Sequence, residues 1–188
     1  MTGIGTSGIA TSGRVFAVVG PSGAGKDTLI EAARRARPDL AIVRRVITRP
    51  ESAGGEEFEG VTEADFLTRR AAGEFALDWK AHGLRYGIPA AALAVAGRDV
   101  VFNGSRAALE RAVTVLPDLR VIRVSAPSAV LVERLVARGR ETRAEIEARV
   151  LRASYDVPDG LPVTDVRNDG TVAEGVARFL AALQPVSA

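Results

Sequence analysis

The chain has 188 residues, 47% of them hydrophobic and 26% charged, which is the composition of one ordinary globular domain and excludes a disordered, coiled-coil or collagen-like chain. No run of about 18 apolar residues is present, so a membrane span is excluded as well. Twenty-five Lys+Arg against 23 Asp+Glu leave a net charge of +2, too little for bulk nucleic-acid binding, and with no cysteine and one histidine there is no disulfide framework, thiolate zinc site or histidine-rich metal centre.

Residues 1–13, uncharged and rich in Gly, Ser and Thr, are expected to form a flexible tail without the basic start of a signal peptide. Arg14–Val19 reads as a strand that runs through a glycine-rich turn into a helix over about 27–36, stopped before Pro38. Leu40–Ile47 reads as a second strand. Thr62 with Asp65 resembles a capping box opening a helix to about Ala72, closed by Gly73. Phe75–Lys80 and Leu84–Tyr86 read as antiparallel strands around His82-Gly83. Pro89 suits the first turn of a helix ending near Gly97. A buried strand over Asp99–Phe102 precedes a helix over about Ser105–Leu116. Leu119–Val124 is another strand, and a helix follows Pro127. Thr142 with Glu145 and Thr171 with Glu174 open two more helices around a short strand ending at Arg167. Strands alternating with helices predict an α/β fold with a mainly parallel sheet, whose ligands belong at the carboxyl ends of the strands.

Gly20-Pro21-Ser22-Gly23-Ala24-Gly25-Lys26 has the spacing G-x-x-x-x-G-K between a predicted strand and a predicted helix. That is the context of a P-loop, in which backbone N–H groups and the helix N-terminus surround phosphate oxygens and the lysine adds a charge. The pattern expects Ser or Thr after the lysine, to bind Mg²⁺. Here the position is Asp27, followed by Thr28. A carboxylate is a hard ligand suited to Mg²⁺ or one of its waters, and it is also a favourable charge on the first turn of a helix.

The P-loop, Thr48-Arg49-Pro50 and an arginine-rich segment at 138–149 resemble the guanylate kinase superfamily, over about residues 14–183. The resemblance implies a P-loop NTPase core over about 14–48 and 98–184, a small acceptor-binding insertion over about 49–90 and a mobile lid over about 138–149. A narrower family, the ribose 1,5-bisphosphate phosphokinases of phosphonate degradation, is similar in Gly25-Lys26-Asp27, Ile47-Thr48-Arg49-Pro50 with Ser52-Ala53-Gly54, Trp79 to Gly87, Asn103-Gly104-Ser105-Arg106, Arg138-Gly139-Arg140-Glu141 and Asn168-Asp169-Gly170.

The activity that this resemblance implies is transfer of the ATP γ-phosphoryl group to the 1-phosphate of ribose 1,5-bisphosphate, with Mg²⁺, by a cytoplasmic enzyme acting on small molecules. Gly20, Pro21, Ser22, Gly23, Ala24, Gly25, Lys26, Asp27, Thr28 and Asn168 would bind ATP, with Asp27 on the metal. Asn168 and Asp169 fall where the family's last strand meets the adenine, a place that a simple turn would also explain. Arg138 and Arg149 match the family's lid arginines and would join Lys26 in catalysis, with Arg140 a neighbouring candidate. Arg49, Lys80, Arg85, Tyr86, Ser105 and Arg106 would hold the acceptor. Lys80, where guanylate kinases carry glutamate, and the Asn103–Arg106 run in place of an acidic one disfavour a guanine acceptor. Trp79 is expected to pack in the core and His82 to serve the turn. A guanylate or other nucleoside monophosphate kinase remains the alternative, with a non-catalytic guanylate kinase-like module behind it.

Overall fold

The protein is described here by a computed structural model that covers residues 13–53, 56–95, 97–139, 141–152, 157–158 and 160–184. The expected tail therefore lies outside the described residues except for Gly13, as does Arg140.

In chain order the elements are β1 (Val15–Val19), α1 (Lys26–Ala36), β2 (Ala41–Ile42), β3 (Arg45–Ile47), β4 (Phe58–Gly60), α2 (Glu63–Ala71), β5 (Phe75–Ala81), β6 (Leu84–Pro89), α3 (Ala90–Leu93), β7 (Val100–Asn103), α4 (Arg106–Val115), β8 (Arg120–Ser125), α5 (Ser128–Val136), α6 (Arg143–Arg152), β9 (Val163–Arg167) and α7 (Val172–Ala182). Five strands form an all-parallel sheet in the order β2-β7-β1-β8-β9. A second sheet runs β4-β3-β6-β5, with β3 parallel to β4 and antiparallel to β6.

The central strand β1 is buried on both faces, which is why it reads as an unbroken apolar run. Phe16 and Val18 point into a core with Leu29, Ile30 and Ala33 of α1, Leu131 of α5 and Phe179 of α7. Val15, Ala17 and Val19 point into a second core with Leu109 and Ala112 of α4, Leu77 and Trp79 of β5 and Ile88 of β6. This second core joins the two sheets. Among the described residues no helix is long and apolar enough to cross a membrane.

Two helix starts follow their side chains closely. Thr62 accepts from the Asp65 backbone N–H at 3.1 Å. Thr171 and Glu174 complete a reciprocal capping box. Two expectations need correction, and one strand was not expected. The expected strand Leu40–Ile47 is two strands in two sheets: Val43 N–H still bonds Val101 of the central sheet at 2.9 Å, and from Arg45 onward the chain pairs with β4 and β6 instead. Strand β4 has only three residues, too few for an alternation to show. The helix expected after Pro89 stops at Leu93, a single turn.

Candidate active site

The loop between β1 and α1 has the backbone that its glycines permit. Gly20, Gly23 and Gly25 have φ of 149°, 86° and 90°. A Cβ on Gly20 would lie 2.1 Å from the Val124 carbonyl oxygen, and one on Gly25 would lie 2.4 Å from Asn168 Nδ2. The loop is also braced from below. Asn168, buried at the end of β9, donates Nδ2 to the Ala24 carbonyl at 2.7 Å.

Lys26 opens α1, and its Nζ donates to the carbonyls of Gly20 and Pro21 at 2.8 and 3.0 Å. Burial pushes its pKa down to about 8; Asp27 and Glu56 oppose that shift, while Arg45 and Arg138 add to it. Asp27 follows on the same turn, and its Oδ1 accepts from Asn103 Nδ2 at 2.7 Å. Among the described residues no group of three or more acidic or histidine side chains forms a metal cage. A cation beside Asp27 would complete its shell from water and phosphate oxygens, the manner that suits Mg²⁺.

The loop forms one wall of a cleft of about 900 Å³. Another wall is built by the second sheet. The side chain of Arg45 is 8% exposed and forms a two-point ion pair with Glu56, whose Oε2 lies 2.9 Å from Arg45 Nε. The Arg45 guanidinium stands 5.1 Å from the Tyr86 ring and 5.8 Å from the Trp79 ring, and those two rings stack at 5.4 Å. Arg49 lies over Phe58 at 4.4 Å. Ser105 and Arg106 reach the cleft from the N-terminus of α4, where helical N–H groups favour an anion. Arg138 follows α5, and Arg149 rises from α6. Arg149 Nη2 stands 3.0 Å from Glu141 Oε1 as an ion pair without hydrogen-bond alignment. Its Nε and Nη2 are buried with no hydrogen-bond acceptor.

The chain is 48% identical over 176 residues to the bifunctional ribose 1,5-bisphosphokinase-thymidine phosphorylase of Cupriavidus necator, covering 92% of this chain and 29% of that protein. It is 47% identical over 175 residues to ribose 1,5-bisphosphate phosphokinase PhnN of Ruegeria sp. TM1040, covering 92% of both chains. The chain belongs to the ribose 1,5-bisphosphate phosphokinase family.

The PhnN protein of Rhizobium etli is another member at 46% identity, with 93% of this chain and 91% of that one covered. No family model matches the chain. Among solved structures, guanylate kinase from Anaplasma phagocytophilum aligns with a TM-score of 0.65 at 18% identity, over 93% of this chain and 86% of that one. A gluconokinase from Sinorhizobium meliloti aligns with a TM-score of 0.53 at 21% identity, over 93% of each chain. At such identities the likeness speaks for the fold alone.

Most site residues expected for this phosphokinase-family chain share the one cleft. Gly20, Pro21, Ser22, Gly23, Gly25, Lys26, Asp27, Arg49, Tyr86, Ser105, Arg106, Arg138 and Arg149 all line it. Lys80 and Arg85 need correction. They pair across β5 and β6, next to the pair Trp79–Tyr86, and successive strand residues face opposite ways. Trp79 and Tyr86 therefore face the cleft, while Lys80 is exposed on the far side and Arg85 pairs with Glu63 of α2 at 2.9 Å. The lysine contrast accordingly says nothing about the acceptor.

Asn168 needs correction too, since it supports the loop from behind and does not line the cleft. Asp169 pairs with Arg167 and Arg178. Thr28 is exposed on α1, and the Ala24 side chain is fully buried. Trp79 is buried as expected and also lines the cleft; His82, at φ 50°, forms the two-residue turn with Gly83 and lines the cleft as well. Sequence reasoning missed Arg45, Glu56 and Glu141, and gave Asn103 a part only in the acceptor contrast, not beside Asp27. For Asn103 a signal existed: a lone polar residue ending the apolar run Val100-Val101-Phe102.

Proposed function

We propose that this chain transfers the γ-phosphoryl group of ATP to the 1-phosphate of ribose 1,5-bisphosphate, giving 5-phosphoribosyl 1-diphosphate and ADP. The observation that carries the reading is a single cleft that combines a phosphate cradle with a separate set of acceptor-side cations. The choice of a sugar bisphosphate as acceptor is supported by the activity named for the relatives.

An oxygen of the acceptor's 1-phosphate attacks the γ-phosphorus, the new P–O–P bond forms, and the bond to the ADP oxygen breaks. The attacking oxygen is already anionic, so no strong general base is required. The work lies in bringing two polyanions together and neutralising the charge on the transferring group. The P-loop amides and Lys26 hold the ATP phosphates. Asp27, positioned by Asn103, would hold Mg²⁺, whose charge would offset that of the phosphate oxygens. Arg49, Arg106 and the α4 N-terminus take the acceptor phosphates, while Arg138 and Arg149 close over the transferring group. A use of ATP as phosphoryl donor fits an enzyme of the cytoplasm.

Phosphorus NMR with MgATP tests this reading, with ribose 1,5-bisphosphate and GMP offered in separate tubes and Lys26→Ala as control. A new diphosphate signal from the sugar alone is expected. Turnover of GMP alone would move the chain to the nucleoside monophosphate kinases.

A further inference from the structure

Strand β7 lies beside β1, and Asn103, its last residue, pairs with Val18 one residue before the loop-bearing end of β1. Asn103 is 8% exposed, and its neighbours Val100, Val101 and Phe102 are all buried and apolar. An amide in such a place requires partners, and packing alone would have continued the apolar run. Its side-chain hydrogen bond goes to Asp27 Oδ1, 2.7 Å away. Because a carboxylate only accepts, the amide must present its NH₂ there.

P-loop NTPases in general hold their metal with a neutral Ser or Thr on the loop helix and an acid contributed from elsewhere in the site. Here the acid stands on the helix, at Asp27, and the neutral group stands at the strand end, at Asn103. One carboxylate and one neutral hydrogen-bonding side chain are present either way. We propose that Asp27 and Asn103 are a charge-transposed metal pair, in which Asp27 supplies the anion and Asn103 is the positioning residue. Its N–H occupies one carboxylate oxygen and leaves the other for the cation or a water bound to it. A second acid at 103 would set two carboxylates at hydrogen-bond distance, where like charges repel. This inference rests on the kinase reading above.

Affinity for ADP is measured by calorimetry with and without Mn²⁺, and bound Mn²⁺ is counted by electron paramagnetic resonance; no turnover is involved. Asp27→Ser should weaken the Mn²⁺-dependent part of binding by about 10–100-fold, and Asn103→Ala by about tenfold, each read as the ratio of ADP affinities with and without Mn²⁺ in the same protein. The exchange Asp27→Ser/Asn103→Asp should bring Mn²⁺-dependent affinity back to within a few fold of the parent. A merely structural role for Asn103 would produce no such rescue.

A double variant that binds metal-free ADP normally yet is no better with Mn²⁺ than Asp27→Ser overturns the transposition. If the double variant fails to fold, Asn103→Ala decides: an unchanged Mn²⁺ effect overturns the proposal and a selective loss supports it. A parent protein that binds no ADP at all would sink the kinase reading and this inference together. A parent that binds ADP equally well without metal would sink this inference alone.

Discussion

If Lys26 holds the ATP phosphates as proposed, nucleotide binding should take up protons in a narrow alkaline window. In the free protein its ammonium is pushed down from 10.5 to about 8, chiefly by burial. ATP brings phosphate oxygens to that ammonium, and nearby negative charge favours the protonated form. If the bound state restores an ordinary lysine value, ATP binding should take up about half a proton at pH 8, about 0.9 at pH 9 and only about 0.1 at pH 7. The assay is calorimetry in buffers of different ionisation enthalpy, whose slope gives protons per ATP. Lys26→Arg is the control, because a guanidinium stays charged across the window. Taking the difference between the two proteins cancels uptake by the nucleotide itself. No excess uptake at pH 8–9 in the parent, or equal uptake in Lys26→Arg, would refute the reasoning.

The same shift acts on stability. A displacement from 10.5 to about 8 corresponds to roughly 3 kcal/mol of penalty for holding this lysine charged in the folded state. Below about pH 8 the lysine is protonated in both states and the penalty is fully present. Between about pH 8 and 10.5 the unfolded chain binds more protons at this position, so the unfolding free energy contributed by Lys26 rises with pH. Lys26→Met should therefore be the more stable protein at pH 7, by at most about 3 kcal/mol, since the Gly20 and Pro21 carbonyls lose their donor. Its advantage should fade through that window. Denaturant titrations at pH 7 and pH 10 measure both effects.

Arg149→Ala should lower kcat far more than it raises the KM for ATP, which steady-state kinetics reads directly; the reverse pattern would mean ground-state binding only. Lys80→Ala and Arg85→Ala should leave the acceptor KM within about twofold of the parent, and loss of the half-exposed Arg85–Glu63 pair should cost no more than about 1 kcal/mol of stability. Asn168→Ala removes a buried donor to the Ala24 carbonyl and should cost about 1–3 kcal/mol, seen as a lower Tm together with weaker ATP binding. Arg45→Ala leaves the partly buried Glu56 uncompensated and should cost about 3–5 kcal/mol, whereas Arg45→Met with Glu56→Gln should recover most of that loss in the same melt.

What could be read in the chain and what could not divide along physical lines. The P-loop was legible because its spacing encodes backbone: glycines at 20, 23 and 25 are the positions where φ is positive, and a Cβ at 20 or 25 would strike the Val124 backbone or Asn168. The caps at Thr62 and Thr171 were legible because each is closed within three residues. Lys80 lies on the face opposite Trp79, a matter of strand parity that its charge does not reveal. The alternation Leu77, Trp79, Ala81 against Asp78 and Lys80 was available, but a register shift between Phe75 and Leu77 hides which set shares a face with Phe75. Arg45 with Glu56 had no local signal at all, since eleven residues separate them and only the pairing of β3 with β4 brings them together.

The chain's use of arginine gives the cleft one more property. Among the described residues its cationic lining consists of one lysine and six arginines: Lys26, Arg45, Arg49, Arg106, Arg123, Arg138 and Arg149. Arginines lining the proposed acceptor side would offer planar, multi-donor forks to phosphate oxygens, with a charge that does not vary with pH. The loop needs a compact point charge that can bend back onto two carbonyls, which an ammonium does and a fork does not. Charge regulation in this cationic wall is thereby concentrated in Lys26, beside Asp27. An alkaline limb in ATP affinity should then move with substitutions that alter burial or charge around Lys26, such as Arg138→Gln, which removes a neighbouring cation and should raise the midpoint. Arg106→Gln, at the acceptor end, should leave that midpoint where it is while weakening the acceptor; a shifted midpoint in Arg106→Gln would mean that the two ends of the cleft are electrostatically one site.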